Sequence, residues 1–483
     1  MRRALLGIAV VFVLWLASAP ALGEHTLPND CAFNPISTTY EAPRDRRAYL
    51  LGGNLAGFNM IAANDAFFGT SRVENGPRSN RGVVDTPYMP PTLLKAIGFV
   101  ESNLAQADHS VYWGATGPTK VSFDCGHGIM QITSGMVDPA DSGWPSKQQS
   151  LVTTHYLYNI ARGSAILVDK WNAAPGYRPI AGTDTDSDPA IVENWYFAVW
   201  SYNGFTGPGA NRSNHPSDPD YAWPRTGFSC GPANDGYGHS YGNYPYQELV
   251  FGCATRPPSV DGQQLWPPLE LSLPDLDDPT WSEPLDLDNF TTSDWFARMD
   301  IPSPQPWHRD PTEKPGDSVA PFLLGAPTLV ANRATVADPI TEVTISNIGA
   351  GILAWRAKPG QSWISVDKQG GVALGPDVPC AEDAPCERSP TLTITVNRDD
   401  PTPGWVDIES LTTSQTWRIE VVRNIYDVNC DGTTSSIDAL VVLQFSAGQL
   451  ASLPCEESAD VNGDGVVNVL DALLILQFNA GLL

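Results

Sequence analysis

PPTLLKAIGFVESNL, residues 90–104, and GHGIMQITSGM, residues 126–136, enclose a polar loop rich in Gly and Asp. Pro90 and Pro91 suit a helix start, because a proline at the first helical position gives up an N–H that has no helical partner. Leu93, Leu94, Ile97 and Val100 recur at helical spacing, which predicts a buried face. Glu101 closes the run, in Val100-Glu101-Ser102. Periodicity alone favours a solvated residue of the last turn. A carboxyl held against apolar walls would instead have its pKa raised, since burial disfavours the charged form. That is the state a general acid needs near neutral pH. In the second stretch the glycines around His127 allow close approach of backbone to a ligand, and Gln131 offers an amide.

A third piece, Ala198-Val199-Trp200-Ser201-Tyr202-Asn203-Gly204, ends another helical pattern. Together the three resemble the soluble lytic transglycosylase family, whose fold is helical and lysozyme-like. The family pattern is a Glu-Ser pair closing a helix, then Gly-x-Met-Gln-Ile, then Ala-Tyr-Asn-x-Gly. Here these stand as Glu101-Ser102, Gly128-Ile129-Met130-Gln131-Ile132 and Ser201-Tyr202-Asn203-Gly204. The interval from Ser102 to His127 is longer than usual, which points to an insertion at the cleft rim, and Ser201 replaces the family's Ala. The resemblance implies an enzyme that cleaves the β-1,4 bond between N-acetylmuramic acid and N-acetylglucosamine in peptidoglycan. Glu101 would be its catalytic acid and then base, with Ser102, Gln131, Tyr202 and Asn203 positioning it and binding the glycan. Ordinary glycosidases pair two carboxylates. The resembled family has one, and the substrate's acetamido group or 6-hydroxyl supplies the second function, leaving a 1,6-anhydro end. A hydrolase would need another carboxylate, and Asp108 and Asp124 are candidates within the insertion. Two further readings stay open: a chitinase or chitosanase on the same fold, and a non-catalytic glycan-binding protein docked to a scaffold.

At 483 residues the chain has room for about three domains. Arg2 and Arg3 precede an apolar run from Ala4 to Leu16, and small residues follow, so residues 1–23 are predicted to be a secretory signal peptide. No other segment approaches a membrane span, and a secreted, extracellular or cell-surface location is expected. The net charge of −26 argues against a nucleic-acid partner, whose binders carry basic patches. Eight cysteines in an exported chain are expected to pair. Proximity in sequence suggests Cys230 with Cys253, Cys380 with Cys386 and Cys430 with Cys455, leaving Cys31 with Cys125.

The multidomain plan is then an α-helical catalytic domain over 24–253, a linker over 254–324, an all-β sandwich over 325–424 and a small helical module over 425–483. The linker is read from composition: with 13 prolines, and 13 acidic against four basic residues, it buries too little apolar surface to fold alone. Trp281, Trp295 and Trp307 suggest that parts of it are pinned to a neighbour. Beyond Gly325 the period becomes two, in TEVTISN (341–347), TLTITVN (391–397) and TWRIEVV (416–422). Ile345-Ser346-Asn347-Ile348-Gly349, Trp355 and Trp363-Ile364-Ser365-Val366 resemble the BACON family of immunoglobulin-like modules, which implies carbohydrate binding or spacing. Both tryptophans are expected in the core.

Two copies of one pattern close the chain, DVNCDGTTSSIDALVVLQFSAG from Asp427 and DVNGDGVVNVLDALLILQFNAG from Asp460. Oxygen donors fall at loop positions one, three, five, nine and twelve: Asp427, Asn429, Asp431, Ser435 and Asp438, then Asp460, Asn462, Asp464, Asn468 and Asp471. Position seven would offer the carbonyls of Thr433 and Val466, and Gly432 and Gly465 hold the sharp turn. Residues 425–483 hold eight acidic residues and no basic one, so folding is expected to depend on calcium, one ion per loop. The LVVLQF and LLILQF runs are expected to need burial. Asp at position twelve and a helix only after the loop resemble a type I dockerin, which implies a cohesin-type partner. A Cys430–Cys455 link would depart from the usual dockerin pattern.

Overall fold

A computed structural model describes residues 31–482 apart from 34–36, 76–81, 85–87, 174–187, 275–304, 337–339, 383, 397–403, 422–425 and 432. Within 205–242 only 214, 216, 221, 225 and 227–230 are described. The signal-peptide segment, Trp281, Trp295 and Gly432 lie outside the described residues. No helix among the described residues is long and apolar enough to cross a membrane.

The centre of the helical body is α2, Pro91–Ser102. Its apolar face is wide enough to leave only Glu101 partly exposed, and even Thr92, Lys95 and Gly98 are buried. A helix apolar nearly all round belongs inside a fold. Around it pack α1 (Arg47–Gly57), α4 (Tyr156–Asn172) and α6 (Tyr246–Thr255), with α3 (Lys147–Thr154) and α5 (Tyr196–Asn203) behind. The apolar pattern of Gln149–Trp171 falls in two helices, α3 and α4. Thr153 and Thr154 turn their hydroxyls back onto the carbonyls of Gln149 and Ser150, and extended His155 caps α4 through Nδ1, which accepts from Leu157 N.

Two sheets form the sandwich. One has β8 (Gly370–Leu374), β6 (Ile352–Pro359), β10 (Gly404–Ser410), β11 (Thr416–Val421) and β4 (Thr335–Val336) in that order. The other has β7 (Ile364–Val366), β9 (Thr391–Val396), β5 (Ile340–Asn347) and β3 (Leu329–Ala331). All pairs are antiparallel except β11 with β4. Trp355 is fully buried and Trp363 packs against the same core, as expected.

The alternation that marks the other strands vanishes in β6 and β8, because this part of the sheet is covered on both faces. Leu353, Trp355, Ala357 and Ala373 point into the sandwich, while Ile352, Ala354, Val372 and Leu374 point into the core of the helical body. Strands β1 (Thr38–Tyr40) and β2 (Thr116–Pro118) lie at this junction. Buried Arg356 donates from Nε to Glu409 (2.6 Å) and from Nη1 to Asp141 (3.2 Å) and the Pro145 carbonyl (2.8 Å). Around the Cys380–Cys386 link, Ala381 N donates to Gly114 O (3.0 Å) and Glu387 N to Thr116 Oγ1 (2.8 Å).

The span 254–324, composed like a free linker, is mostly irregular where described but lies on the helical body. Trp266 and Leu269 enter its core, as does Ala320 of the short helix α7, Val319–Leu324. Buried Glu193 accepts from Ser272 N (3.2 Å) and His308 N (2.8 Å). One buried acceptor thereby collects amides that a proline-rich chain cannot pair by itself. Trp307 is 44% exposed. The three cysteine pairs suggested by sequence proximity form, and so does the remaining pair, Cys31–Cys125.

Replacing Arg356 by Leu removes the cation that Glu409 and Asp141 share, leaving Asp141 to Lys358 (2.9 Å) and Glu409 to Lys147 (3.5 Å). A loss of about 1–3 kcal/mol is expected, below the fully buried case because Asp141 is about a third exposed and both acids keep a second cation. Calorimetry should show it as a lower melting temperature for sandwich and helical body together; an unchanged transition would mean that this contact does not join them.

Candidate functional site

The chain leaves α2 through two left-handed residues, Asn103 (φ 60°) and Leu104 (φ 53°), whose amides return to Phe99 O and Gly98 O. Ser102 completes the turn, donating from Oγ to Gly98 O (2.9 Å) and accepting from Ala105 N (3.1 Å). It is a helix-end brace and does not bond the Glu101 carboxyl. Glu101 instead faces a cavity of about 330 Å³ with Asn203, Asn214, Tyr244 and Tyr246. Tyr246, first residue of α6, donates its hydroxyl to Glu101 Oε1 at 2.5 Å. Oε2 makes no hydrogen bond among the described residues.

Burial pushes the Glu101 carboxyl up to about 7, the Tyr246 hydrogen bond opposes the rise, and the charge of Asp124 adds to it. Asp124 is exposed and accepts from Ser122 Oγ (2.5 Å). Asp108 lines a different cavity, where it accepts from Ser110 N and Oγ. Of the two candidate partners, only Asp124 acts on Glu101 electrostatically.

The Gly-x-Met-Gln stretch is packed against α2 and α4. A Cβ on Gly98 would meet Ile129 Cγ2 at 2.9 Å, and one on Gly163 would meet Met130 Cγ at 2.7 Å. Asn159 clamps the stretch, donating from Nδ2 to His127 O (2.7 Å) and accepting from Met130 N (2.8 Å). Tyr202 donates to Met130 O (2.8 Å), and Gln131 donates from Nε2 to Gly128 O (2.7 Å). His127 is buried, with Nδ1 against Cys125 O (2.7 Å), and burial pulls its pKa down to about 4. Of the expected binding residues, only Asn203 lines the cavity beside Glu101, and its Oδ1 accepts from Asn214 Nδ2 (2.7 Å). Ser102, Gln131 and Tyr202 each donate to backbone of the site's own walls, with Gln131 and Tyr202 half-buried and the Glu101 charge reaching the Tyr202 hydroxyl. Tyr246 and Asn214 escaped the sequence reading. The one signal for Tyr246 is Pro245 before a short helical pattern.

In the tail, α8 (Ser436–Ser446) and α9 (Val469–Asn479) follow the two loops. Asp438 accepts the amides of Val428 (2.9 Å), Asn429 (3.0 Å) and Ser435 (2.8 Å). Asp471 repeats this with Val461 (2.9 Å), Asn462 (3.2 Å) and Asn468 (2.8 Å). Ser435 and Asn468 cap the helices. Asp431 accepts from Thr433 Oγ1, Thr433 N and Asn429 Nδ2, which holds its carboxyl below the usual range. Asp460 accepts from Asp464 N and Gly465 N. Asp427 is buried. Among the described residues no three His, Cys, Asp or Glu side chains converge as a metal site, since the position-twelve aspartates are turned onto loop amides. The donors are nevertheless all oxygen and anionic overall, which suits a hard divalent cation. The two apolar runs are not fully buried. Ala439, Val442, Ala472 and Ile475 are inside, while Ile437, Leu440, Leu473 and Leu476 remain exposed.

No curated protein matches the chain. The S-layer protein SbsC domains 4 and 5 are similar at 11% identity and a TM-score of 0.15, over 20% of this chain and 53% of that one. A Bacteroides ovatus GH5 xyloglucanase in complex with a XXXG heptasaccharide is similar at 11% identity and a TM-score of 0.15, over 24% of this chain and 25% of that one. This chain thus spans about half of the first and a quarter of the second, and likenesses this slight carry no argument. Residues 425–478 match the dockerin type I domain, and with its paired loops and helices the tail of this chain is a dockerin type I domain.

Proposed function

We propose that the chain is an exported enzyme that cleaves the β-1,4 MurNAc–GlcNAc bond of peptidoglycan from a lysozyme-like helical domain. Its dockerin type I domain tethers it to a cohesin module outside the cell. The observation that carries the catalytic reading is the Glu101 carboxyl, raised by burial to about 7 at a cavity flanked by tyrosines and asparagines. An acid with that pKa is still substantially protonated near neutrality, yet gives up its proton readily.

Glu101 protonates the glycosidic oxygen as the C1–O bond breaks. The carboxylate so formed then takes the proton of the sugar's own 6-hydroxyl as that oxygen closes on C1, which regenerates the acid and leaves a 1,6-anhydro end. Tyr246 fixes Oε1 and leaves Oε2 for the proton transfer. The Asn203 and Asn214 amides supply hydrogen bonds to sugar hydroxyl and acetamido groups. In a second course Asp124, whose charge reaches Glu101, would activate water, and the product would be a reducing end.

In the dockerin, the two oxygen-rich loops support one calcium ion each, held by Asp427, Asn429, Asp431, Thr433, Ser435 and Asp438, and by Asp460, Asn462, Asp464, Val466, Asn468 and Asp471. The exposed apolar side chains of α8 and α9 support docking to a cohesin, since a contiguous apolar face marks an interaction surface.

On peptidoglycan sacculi with calcium, mass spectrometry should find anhydro ends that disappear with Glu101→Gln. Reducing ends that disappear with it would assign hydrolysis and make Asp124 the next residue to change; release from chitin oligomers alone would move the substrate to chitin. Because the protonated acid is the competent form, kcat/KM should fall as pH rises through about 7. Tyr246→Phe removes a bond that favours the carboxylate, so the fall should move to higher pH. The same raised pKa affects folding: the folded acid binds its proton more tightly, so this contribution is complete below the unfolded pKa near 4.5 and is lost as pH rises through about 7. Glu101→Gln should therefore flatten that part of the profile of Tm against pH. Calcium titration by calorimetry should count two ions, and a chelator should lower the melting of the tail; a melt indifferent to chelation would refute the calcium reading.

A further inference from the structure

On the other side of the α2 terminus lies a larger cavity of about 440 Å³, lined in part by Ser102 and Asn103, which directly follow Glu101 in the chain. Its chemistry differs from that of the Glu101 cavity. In a chain of 28 basic against 54 acidic residues, Arg44, Arg46 and Lys120 all line this one space, with Glu41 and Asp108. The two acids are already engaged. Glu41 is buried and accepts from Ala107 N (2.7 Å) and the Tyr49 hydroxyl (3.0 Å). Asp108 accepts from Ser110 N (2.9 Å), from Ser110 Oγ (2.8 Å) and at the His109 ring (3.2 Å). Arg44 pairs with Asp261 at the exposed rim (3.6 Å).

Two of the cations have no ion pair among the described residues. Arg46 makes no ion pair among the described residues, and its Nε is buried without a hydrogen-bond partner. Its guanidinium lies 4.4 Å from the centre of the Trp113 ring, which fixes the plane of the fork. Lys120 likewise makes no ion pair among the described residues. Burying a guanidinium nitrogen without an acceptor is costly, so Arg46 is held at this cavity at a cost, and its other N–H groups and the Lys120 ammonium are the donors that a planar anion in the cavity would meet. Burial also pulls the Arg46 pKa down to about 10 and pushes Glu41 up to about 8, so near neutrality Arg46 stays charged while Glu41 carries little charge.

We infer that this cavity is a second binding site, which takes a carboxylate on a polar chain between Arg46 and Lys120 against Trp113. Guanidinium and carboxylate match as paired donors and acceptors, and the volume suits a ligand of a few residues or sugar units. Such a carboxylate comes from a short acidic peptide or from a uronic acid. The inference does not depend on bond cleavage at Glu101, and binding tests it without reference to turnover.

The test is calorimetric titration of the full mature chain, with calcium, using three probes: the dipeptide L-alanyl-γ-D-glutamate, digalacturonate and neutral chitobiose. At least one acid should bind at this site, with an affinity that falls as salt rises, and which acid binds identifies the source. Arg46→Met and Lys120→Gln should each weaken it about tenfold, the loss of one charge-assisted contact, while Glu101→Gln should leave it intact. Lys120 is only partly buried, so its variant reports even if Arg46→Met fails to fold. Binding of neither acid, affinities unchanged in Lys120→Gln, or loss on Glu101→Gln alone would overturn the proposal.

Discussion

The carboxyl of Glu101 is held by the burial of the helix that carries it. With α2 enclosed along nearly its whole length, its last turn cannot slide or roll without opening the core at Leu93, Leu94 and Ile97. The close approaches at Gly98 and Gly163 lock the Gly-x-Met-Gln stretch onto the same core, and Asn159 and Tyr202 tie its backbone down. Rigidity around one acid is the common effect of these contacts. A group that must meet a bond in one orientation benefits from supports whose own rotamers are fixed.

Electrostatics complements this mechanical frame. Burial raises the Glu101 pKa while a single tyrosine hydroxyl restrains the rise, leaving the acid poised near neutrality. On the other side of the helix terminus, burial acts on Arg46 and Glu41 in a second space of different character. One helix end therefore separates two chemical environments by the width of a backbone turn.

Much of this was legible in the amino-acid order, and what was not has physical causes. Helical spacing revealed α2 because all its predicted apolar residues are core. The tail was legible from its repeated oxygen donors, which local loop geometry demands. Tyr246 and Asn214 were invisible because they reach Glu101 from more than a hundred residues away, and no periodicity records such a meeting. Ser102, Gln131 and Tyr202 stood in the right motifs, and each donates to a backbone carbonyl, a contact that motif order does not record. Composition misled in the proline-rich span, since proline and acid content report on what a segment can bury alone. Trp266 and Leu269 are buried by a neighbour, and Glu193 supplies the acceptors. The apolar runs of α8 and α9 misled in the opposite sense, because apolar character does not say whether the cover comes from this chain or from another.

The double-sided burial of β6 and β8 also bears on how such a chain can be assembled from parts. A module with a solvated surface can be moved between genes intact, since its outer residues are already suited to water. Ile352, Ala354, Val372 and Leu374 are not, and their counterparts on the helical side would be equally bare after a cut near residue 325. Sandwich and helical body are thus a single heritable unit, whose surfaces must change together. The dockerin, with its own small core of Val428, Ala439, Val442, Ala472 and Ile475, carries no such obligation and is the part of the chain free to be exchanged.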